Sequence, residues 1–307
     1  MQGIYDVAII GFGPAGATAA IYAKRAGLKT ILIEKAVAGG GQVLLTYEVD
    51  NYPGLPGING YDLGMKFNEH VDKLEVERLE TDVNSIDVEG KIKKIYTGKD
   101  TIEAKTIIVA SGATHRKLDV PGEEKLFGMG VSYCATCDGA FFRGRTVAVM
   151  GGGDVALEDA IFLARSCEKV YLIHRRDEFR AVQVLRDAVQ DTENIEIIWD
   201  SVITEISGDE QVEGITVKNV KTEQAKNIEV AGVFVAVGNI PRTSFIEGVD
   251  KDKSGYLAAG EDCATSVPGI FAAGDVRTKS LRQIVTAVAD GANAITSVQE
   301  YLLNAGK

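Results

Sequence analysis

The sequence predicts an α/β fold built from two βαβ units of parallel sheet. Three observations predict it. Short apolar runs lead into glycine-rich turns, each turn opens a helix-forming segment, and the whole order occurs twice in 307 residues. A chain of that length has room for roughly two domains.

In the first copy, residues 6–10 (Asp-Val-Ala-Ile-Ile) read as a buried strand. Gly11-Phe-Gly-Pro-Ala-Gly16 follows, and residues 17–26 read as an alanine-rich helix ended by Gly27. Residues 30–34 form the next strand. In the second copy, residues 146–150 are the strand and Gly151-Gly-Gly-Asp-Val-Ala156 the turn. Residues 157–165 are the helix, and residues 169–173 are a strand running into His174-Arg-Arg176. Between and after these copies, residues 83–107 and 195–237 alternate apolar with polar side chains, a pattern of strands and hairpins. Further apolar strands end at Gly112, Gly238 and Asp275. Domain crossings are expected at 115–119 and 241–247.

Hydrophobic residues make up 45% and charged residues 25%, a globular balance that permits a sizeable core. The net charge of −11 argues against a general nucleic-acid surface, which needs clustered cations. No apolar run reaches the roughly 18 residues of a membrane helix, and the N-terminus lacks the basic region of a signal peptide. A cytoplasmic protein is expected.

Glycines between strand and helix let the backbone approach a pyrophosphate, and the helix N-terminus supplies N–H donors. Gly11, Gly13 and Gly16 have that spacing, and Glu34 ends the next strand where an acid would accept from ribose hydroxyls. The second copy has Gly151, Gly153 and Ala156, but its strand runs into Arg175 and Arg176, with Arg180 beyond. Cations there suit a 2′-phosphate. The first turn is therefore expected to take FAD, or another dinucleotide with a free 2′-hydroxyl, and the second NADPH rather than NADH.

The chain has four cysteines: Cys134, Cys137, Cys167 and Cys263. Cys134 and Cys137 are spaced for a small disulfide ring, and beside nucleotide-binding βαβ units CxxC reads as redox-active. Half a zinc site is the alternative. It would need two more ligands, but there is no second CxxC, and His70, His115 and His174 are scattered. Asp138 is a candidate general acid or base for the dithiol, or else a turn residue. Because the dithiol belongs to one nucleotide unit and the flavin to the other, rotation of the units between two arrangements is expected.

These stretches together resemble the low-molecular-weight bacterial thioredoxin reductases over essentially the whole chain. The matching residues are 11–16, Gly39-Gly-Gly-Gln42, Asn51-Tyr-Pro-Gly54, 134–139, 151–156, His174-Arg-Arg176 with Arg180, Ala273-Gly-Asp-Val276 and Arg282-Gln283. The resemblance implies two Rossmann-like dinucleotide-binding domains, with an NADPH domain (117–244) carrying the CxxC pair inserted into a discontinuous FAD domain (1–116 and 245–307). It assigns Gln42, Asn51, Val83, Gly112, Asp275, Arg282, Gln283 and Ile284 to FAD beside the first glycine turn and Glu34. Asp154 and His174 join the second turn and its arginines at NADPH. It further implies a homodimer, Cys137 next to the flavin, Cys134 attacking the disulfide of thioredoxin, and Asp138 handling the proton. Cys167 and Cys263 are expected to be structural. Two departures stand out: Ile284 replaces the family's usual alanine, and the Gly39–Gly41 run is one glycine longer. Alternatives are a related flavin disulfide reductase with another protein or small-molecule partner, a ferredoxin-linked variant, a ferredoxin–NADP reductase and a non-catalytic sensor. Intact motifs and the dithiol argue against the last three.

Overall fold

The computed structural model describes residues 3–46 and 48–305. Its chain divides into two compact units, Met1–Thr114 with Ile240–Lys307, and His115–Asn239. Each has its own sheet and core.

The first unit opens with β1 (Tyr5–Ile10), α1 (Pro14–Arg25), β2 (Thr30–Glu34), α2 (Gly60–Lys73), β3 (Glu77–Glu80), β4 (Val83–Asp87), β5 (Lys93–Thr97) and β6 (Thr101–Val109). Helix α1 starts three residues before the expected position 17. Pro14 explains this, because its fixed φ and missing N–H suit the first helical turn. β1 lies between β2 and β6, parallel to both, while β4 and β5 continue the sheet antiparallel.

β7 (Ala113–His115) and, much later, β16 (Asn239–Pro241) carry the two chain crossings. The second unit contains β8 (Val131–Ser132), α3 (Ala135–Asp138), β9 (Thr146–Gly151), α4 (Asp154–Ala164), β10 (Lys169–Ile173), α5 (Gln183–Gln190) and β11 (Ile195–Ile198). After these come β12 (Ser201–Ser207), β13 (Gly214–Asn219), β14 (Ala225–Glu229) and β15 (Gly232–Ala236). The order β11-β10-β9-β15-β8 is a parallel five-stranded sheet, and β12-β13-β14 is an antiparallel meander. α4 begins at Asp154, on the glycine turn itself, with Gly153 as its N-cap.

The chain then returns to the first unit with β17 (Ile270–Ala272), parallel to β6, and α6 (Ile284–Ala305). Val7 and Ile9 of β1 point to a core shared with the alanines of α1 and with Ala294, Ile295 and Val298 of α6. The other face buries Ala8 and Ile10 with Ile31, Ile33, Ile107 and Ile270. Small residues set the helix spacing: a Cβ on Gly291 would fall 2.3 Å from the Ala15 carbonyl oxygen. Among the described residues no helix is long and apolar enough to cross a membrane.

Candidate active site

The dithiol sits where β8 ends. Parallel pairing with Val233 and Phe234 of β15 fixes Val131 and Ser132, and the chain then turns into the single turn of α3. Cys134 is its N-cap, and its carbonyl accepts the N–H groups of Cys137 (3.2 Å) and Asp138 (3.1 Å). This fold brings the two sulfurs together as a disulfide, with Cα atoms 5.3 Å apart. Gly139 continues the chain close under Phe162 and Leu163 of α4, where a Cβ would stand 3.0 Å from the Leu163 side chain.

Asp138 lies half-buried beside this ring. Its carboxylate accepts the Ser132 hydroxyl at 2.5 Å. Burial pushes the carboxyl above the ordinary aspartate value, and the Ser132 hydrogen bond works against that rise. A proton therefore stays available next to the sulfurs at higher pH than on an exposed aspartate. Ser132 is not among the residues that the sequence alone singles out. A lone serine two residues before a CxxC carries no recognisable signal without the fold.

In the first unit, the strand–turn–helix fits a dinucleotide. Gly11, at φ +104°, has no room for a side chain, since a Cβ would meet the Ala110 carbonyl at 2.4 Å. A Cβ on Gly16 would meet Gly11 O at 1.9 Å, whereas Gly13 faces open space. The turn is thus braced from behind and open at the position a pyrophosphate would approach. Glu34 accepts the Phe12 N–H at 2.8 Å and the Ala36 N–H at 3.1 Å. It fixes the turn while each oxygen keeps further acceptor capacity. Its carbonyl accepts the Thr81 N–H at 3.0 Å, bringing the segment that leads to Val83 alongside.

Other residues assigned to the flavin nucleotide lie in the same unit. Gln42 donates to Ala113 O at 2.7 Å, next to Gly112, and Asn51 donates to Gln283 at 2.9 Å. The glycine run packs on the turn, a Cβ on Gly41 standing 3.2 Å from Gly13 Cα. The Ile284 side chain packs with the cluster of Val43 and Leu63, which leaves its backbone as the group available to a ligand.

Among the described residues, Asp275 Oδ1 and Arg282 Nε are buried polar atoms with no hydrogen-bond partner. Burial raises the Asp275 carboxyl, opposed by the charges of Lys279 and Arg282. The Arg282 guanidinium lies 4.1 Å from the Tyr256 ring centroid. Asp290 of α6 clamps the turn that carries Asp275. It accepts from Gly274 N (2.8 Å), Arg277 Nε (2.9 Å) and Nη2 (2.7 Å), and Lys279 Nζ (2.8 Å). Orphaned atoms on a clamped turn fit a group with hydroxyls and a polar ring edge, as the ribityl and flavin portions of FAD have.

The second unit repeats the turn. A Cβ on Gly151 would meet both Ala156 Cβ and Ala236 O at 2.5 Å, while Gly153 is open. Asp154 accepts the Val182 N–H at 2.9 Å, and Arg180 N–H donates to Gly152 O at 2.8 Å. These bonds fold the basic loop back onto the turn. Arg175, Arg176 and Arg180 are exposed. His174 is placed differently: it is buried among Phe179 and Trp199, and a Cβ on Gly152 would fall 2.2 Å from its ring. Burial and the nearby arginines hold His174 below the usual histidine value. It supports the turn as a neutral ring, while the three arginines present the charge.

Cys167 and Cys263 are buried free thiols. Burial raises both, Cys263 to about 12, so neither offers a thiolate near neutral pH. Among the described residues no group of three or more His, Cys, Asp or Glu is arranged to hold a metal.

The family described as pyridine nucleotide-disulphide oxidoreductase matches residues 5–291. The thioredoxin reductase of Listeria monocytogenes is 47% identical over 302 residues, which cover 97% of this chain and 94% of that protein. That of Bacillus subtilis is 42% identical over 302 residues, covering 97% and 95%. The crystal structure of thioredoxin reductase from Streptococcus pyogenes superimposes with a TM-score of 0.93 at 45% identity, covering 99% of this chain and all of that one.

Proposed function

The chain belongs to the pyridine nucleotide-disulphide oxidoreductase family, and from that premise we propose that it is an NADPH-dependent thioredoxin-disulfide reductase. Membership implies a flavin and a nicotinamide nucleotide. In this reading FAD occupies the first unit at Gly11, Gly13, Gly16 and Glu34, with Gln42, Asn51, Asp275, Arg282 and Gln283 along the ribityl and ring. NADPH occupies the second unit at Gly151, Gly153 and Ala156, with Arg175, Arg176 and Arg180 on its 2′-phosphate. Both assignments rest on open glycine turns of matching form whose following strands end differently, one in an acid and the other beside three arginines.

The observation that carries the reaction is the Cys134–Cys137 disulfide followed directly by Asp138, whose carboxyl is held by the Ser132 hydroxyl. Bound FAD supplies two-electron transfer from nicotinamide to this disulfide. As the S–S bond opens, the sulfurs take up the two electrons, and Asp138 provides a proton to one of them. The Cys134 thiolate then attacks one sulfur of the thioredoxin disulfide, and the displaced thioredoxin sulfur takes a proton. Cys137 resolves the mixed disulfide by attacking Cys134 Sγ, which releases reduced thioredoxin and restores the Cys134–Cys137 bond. The balance is NADPH, one proton and a disulfide giving NADP⁺ and a dithiol.

The assembly in this reading is a homodimer, for which the exposed Tyr22 and Tyr61 of α1 and α2 supply apolar surface. The compartment is the cytoplasm, where thiols are kept reduced. Anaerobic reduction by NADPH followed by alkylation and mass spectrometry tests the electron path. Two new thiols are expected, at Cys134 and Cys137; reduced flavin with both cysteines unlabelled would refute it.

A further inference from the structure

Ser132 is 3% exposed at the end of β8, and its single hydroxyl serves both partners of the reaction. It donates to Asp138 Oδ2 at 2.5 Å and accepts the Cys134 backbone N–H at 3.0 Å. A second acceptor, the Cys134 carbonyl, lies 3.3 Å away. The hydroxyl proton thus has two destinations. With Asp138 ionised, it bonds to the carboxylate. With Asp138 protonated, it can turn to the Cys134 carbonyl and accept from the acid. The β8–β15 pairing fixes the serine backbone, so the hydroxyl acts as a rigid peg between acid and nucleophile.

We propose that Ser132 is a positioning residue of the thioredoxin-reducing reaction, orienting the Asp138 carboxyl toward the dithiol and setting the pH range over which it delivers its proton. The inference rests on the reading of Asp138 as the acid of the dithiol.

α4 packs against α3 and carries Glu158 and Asp159, and Glu158 raises the Asp159 carboxyl. Burial favours the neutral form of Asp138, and the Ser132 hydroxyl favours its carboxylate. When two electrons from NADPH open the disulfide, one sulfur remains a thiolate and the other takes the Asp138 proton, which water then replaces. Loss of the hydroxyl leaves the carboxyl free to rotate away and removes the bond that stabilises its anion.

The test is the pH dependence of kcat for NADPH-driven thioredoxin reduction in Ser132→Ala, Ser132→Gly, Ser132→Thr and Asp138→Asn. Bound-flavin absorbance and its bleaching by NADPH check that each protein is folded. Asp138→Asn is expected to lose about a hundredfold in kcat, the scale of a lost general acid, together with the alkaline limb of the profile. Ser132→Ala and Ser132→Gly are expected to lose about tenfold, the scale of one hydrogen bond to a charged group, and to move that limb to higher pH. Ser132→Thr, which keeps the hydroxyl, should retain the wild-type limb. If Asp138→Asn is slow but Ser132→Ala or Ser132→Gly keeps wild-type rate and limb, the proposal for Ser132 is overturned and the reading of Asp138 stands. A limb in Ser132→Thr displaced as far as in Ser132→Ala also overturns it, because the hydroxyl would then be irrelevant. Full activity in Asp138→Asn removes the reading of the acid, and the proposal with it.

Discussion

Asn51 Nδ2 donates to Gln283 Oε1 at 2.9 Å, joining residues 232 positions apart. The loop between β2 and α2 is thereby tied to the segment that opens α6. The hydrogen bond leaves Asn51 Oδ1 as an acceptor at the proposed flavin site.

Asn51→Ala removes one neutral hydrogen bond and one ligand contact. Such bonds contribute about 0.5–1.5 kcal/mol each, so FAD affinity is expected to fall roughly three- to tenfold. Flavin fluorescence on reconstitution of the apoprotein measures it. An unchanged dissociation constant would separate Asn51 from the flavin.

Arg175→Ala with Arg176→Ala is expected to raise the KM for NADPH by on the order of a hundredfold, since each charge-assisted bond to a phosphate contributes about 1.5–3 kcal/mol. The KM for NADH, which lacks the 2′-phosphate, should move little. An equal effect on both nucleotides would mean that the arginines do not read that phosphate.

Gly291 lets α6 lie directly on α1. In Gly291→Ala the new methyl meets the Ala15 carbonyl oxygen at 2.3 Å and Ala19 N at 2.9 Å. Overpacking of this kind costs about 1–3 kcal/mol, seen as a melting temperature lower by a few degrees. The KM for NADPH should be unaffected, because the helix pair belongs to the other unit.

Burial beside Glu158 raises the Asp159 carboxyl from 3.8 to about 7. Over that interval the folded state holds a proton that the unfolded chain has released. Stability contributed by this group therefore falls as pH rises, with the full penalty above about pH 7. Asp159→Asn should raise the melting temperature at pH 8 and leave it nearly unchanged at pH 4. A gain of equal size at both values would point to packing rather than ionisation.

The parts of the site legible in the sequence are those where the backbone itself dictates the residue. Gly11 and Gly151 admit no side chain, so both turns announce themselves by spacing, as does the disulfide ring of Cys134 and Cys137. Helix α1 begins earlier than alanine content alone suggested, because Pro14 is a starting residue and not a break. Other roles depend on tertiary placement. Ser132 reaches Asp138 only because β8 pairs with β15. His174 looks like part of a basic cluster in sequence, yet the aromatic packing around Trp199 turns it inward. Asp275 resembles an ordinary turn residue until Asp290 and α6 close over its loop.

The most direct test of the central claim is NADPH consumption by the purified protein, with and without oxidised thioredoxin from the same organism. Rapid consumption that depends on thioredoxin and disappears in Cys134→Ser is the predicted result. Consumption that stays slow with thioredoxin, or persists undiminished in Cys134→Ser, would contradict it.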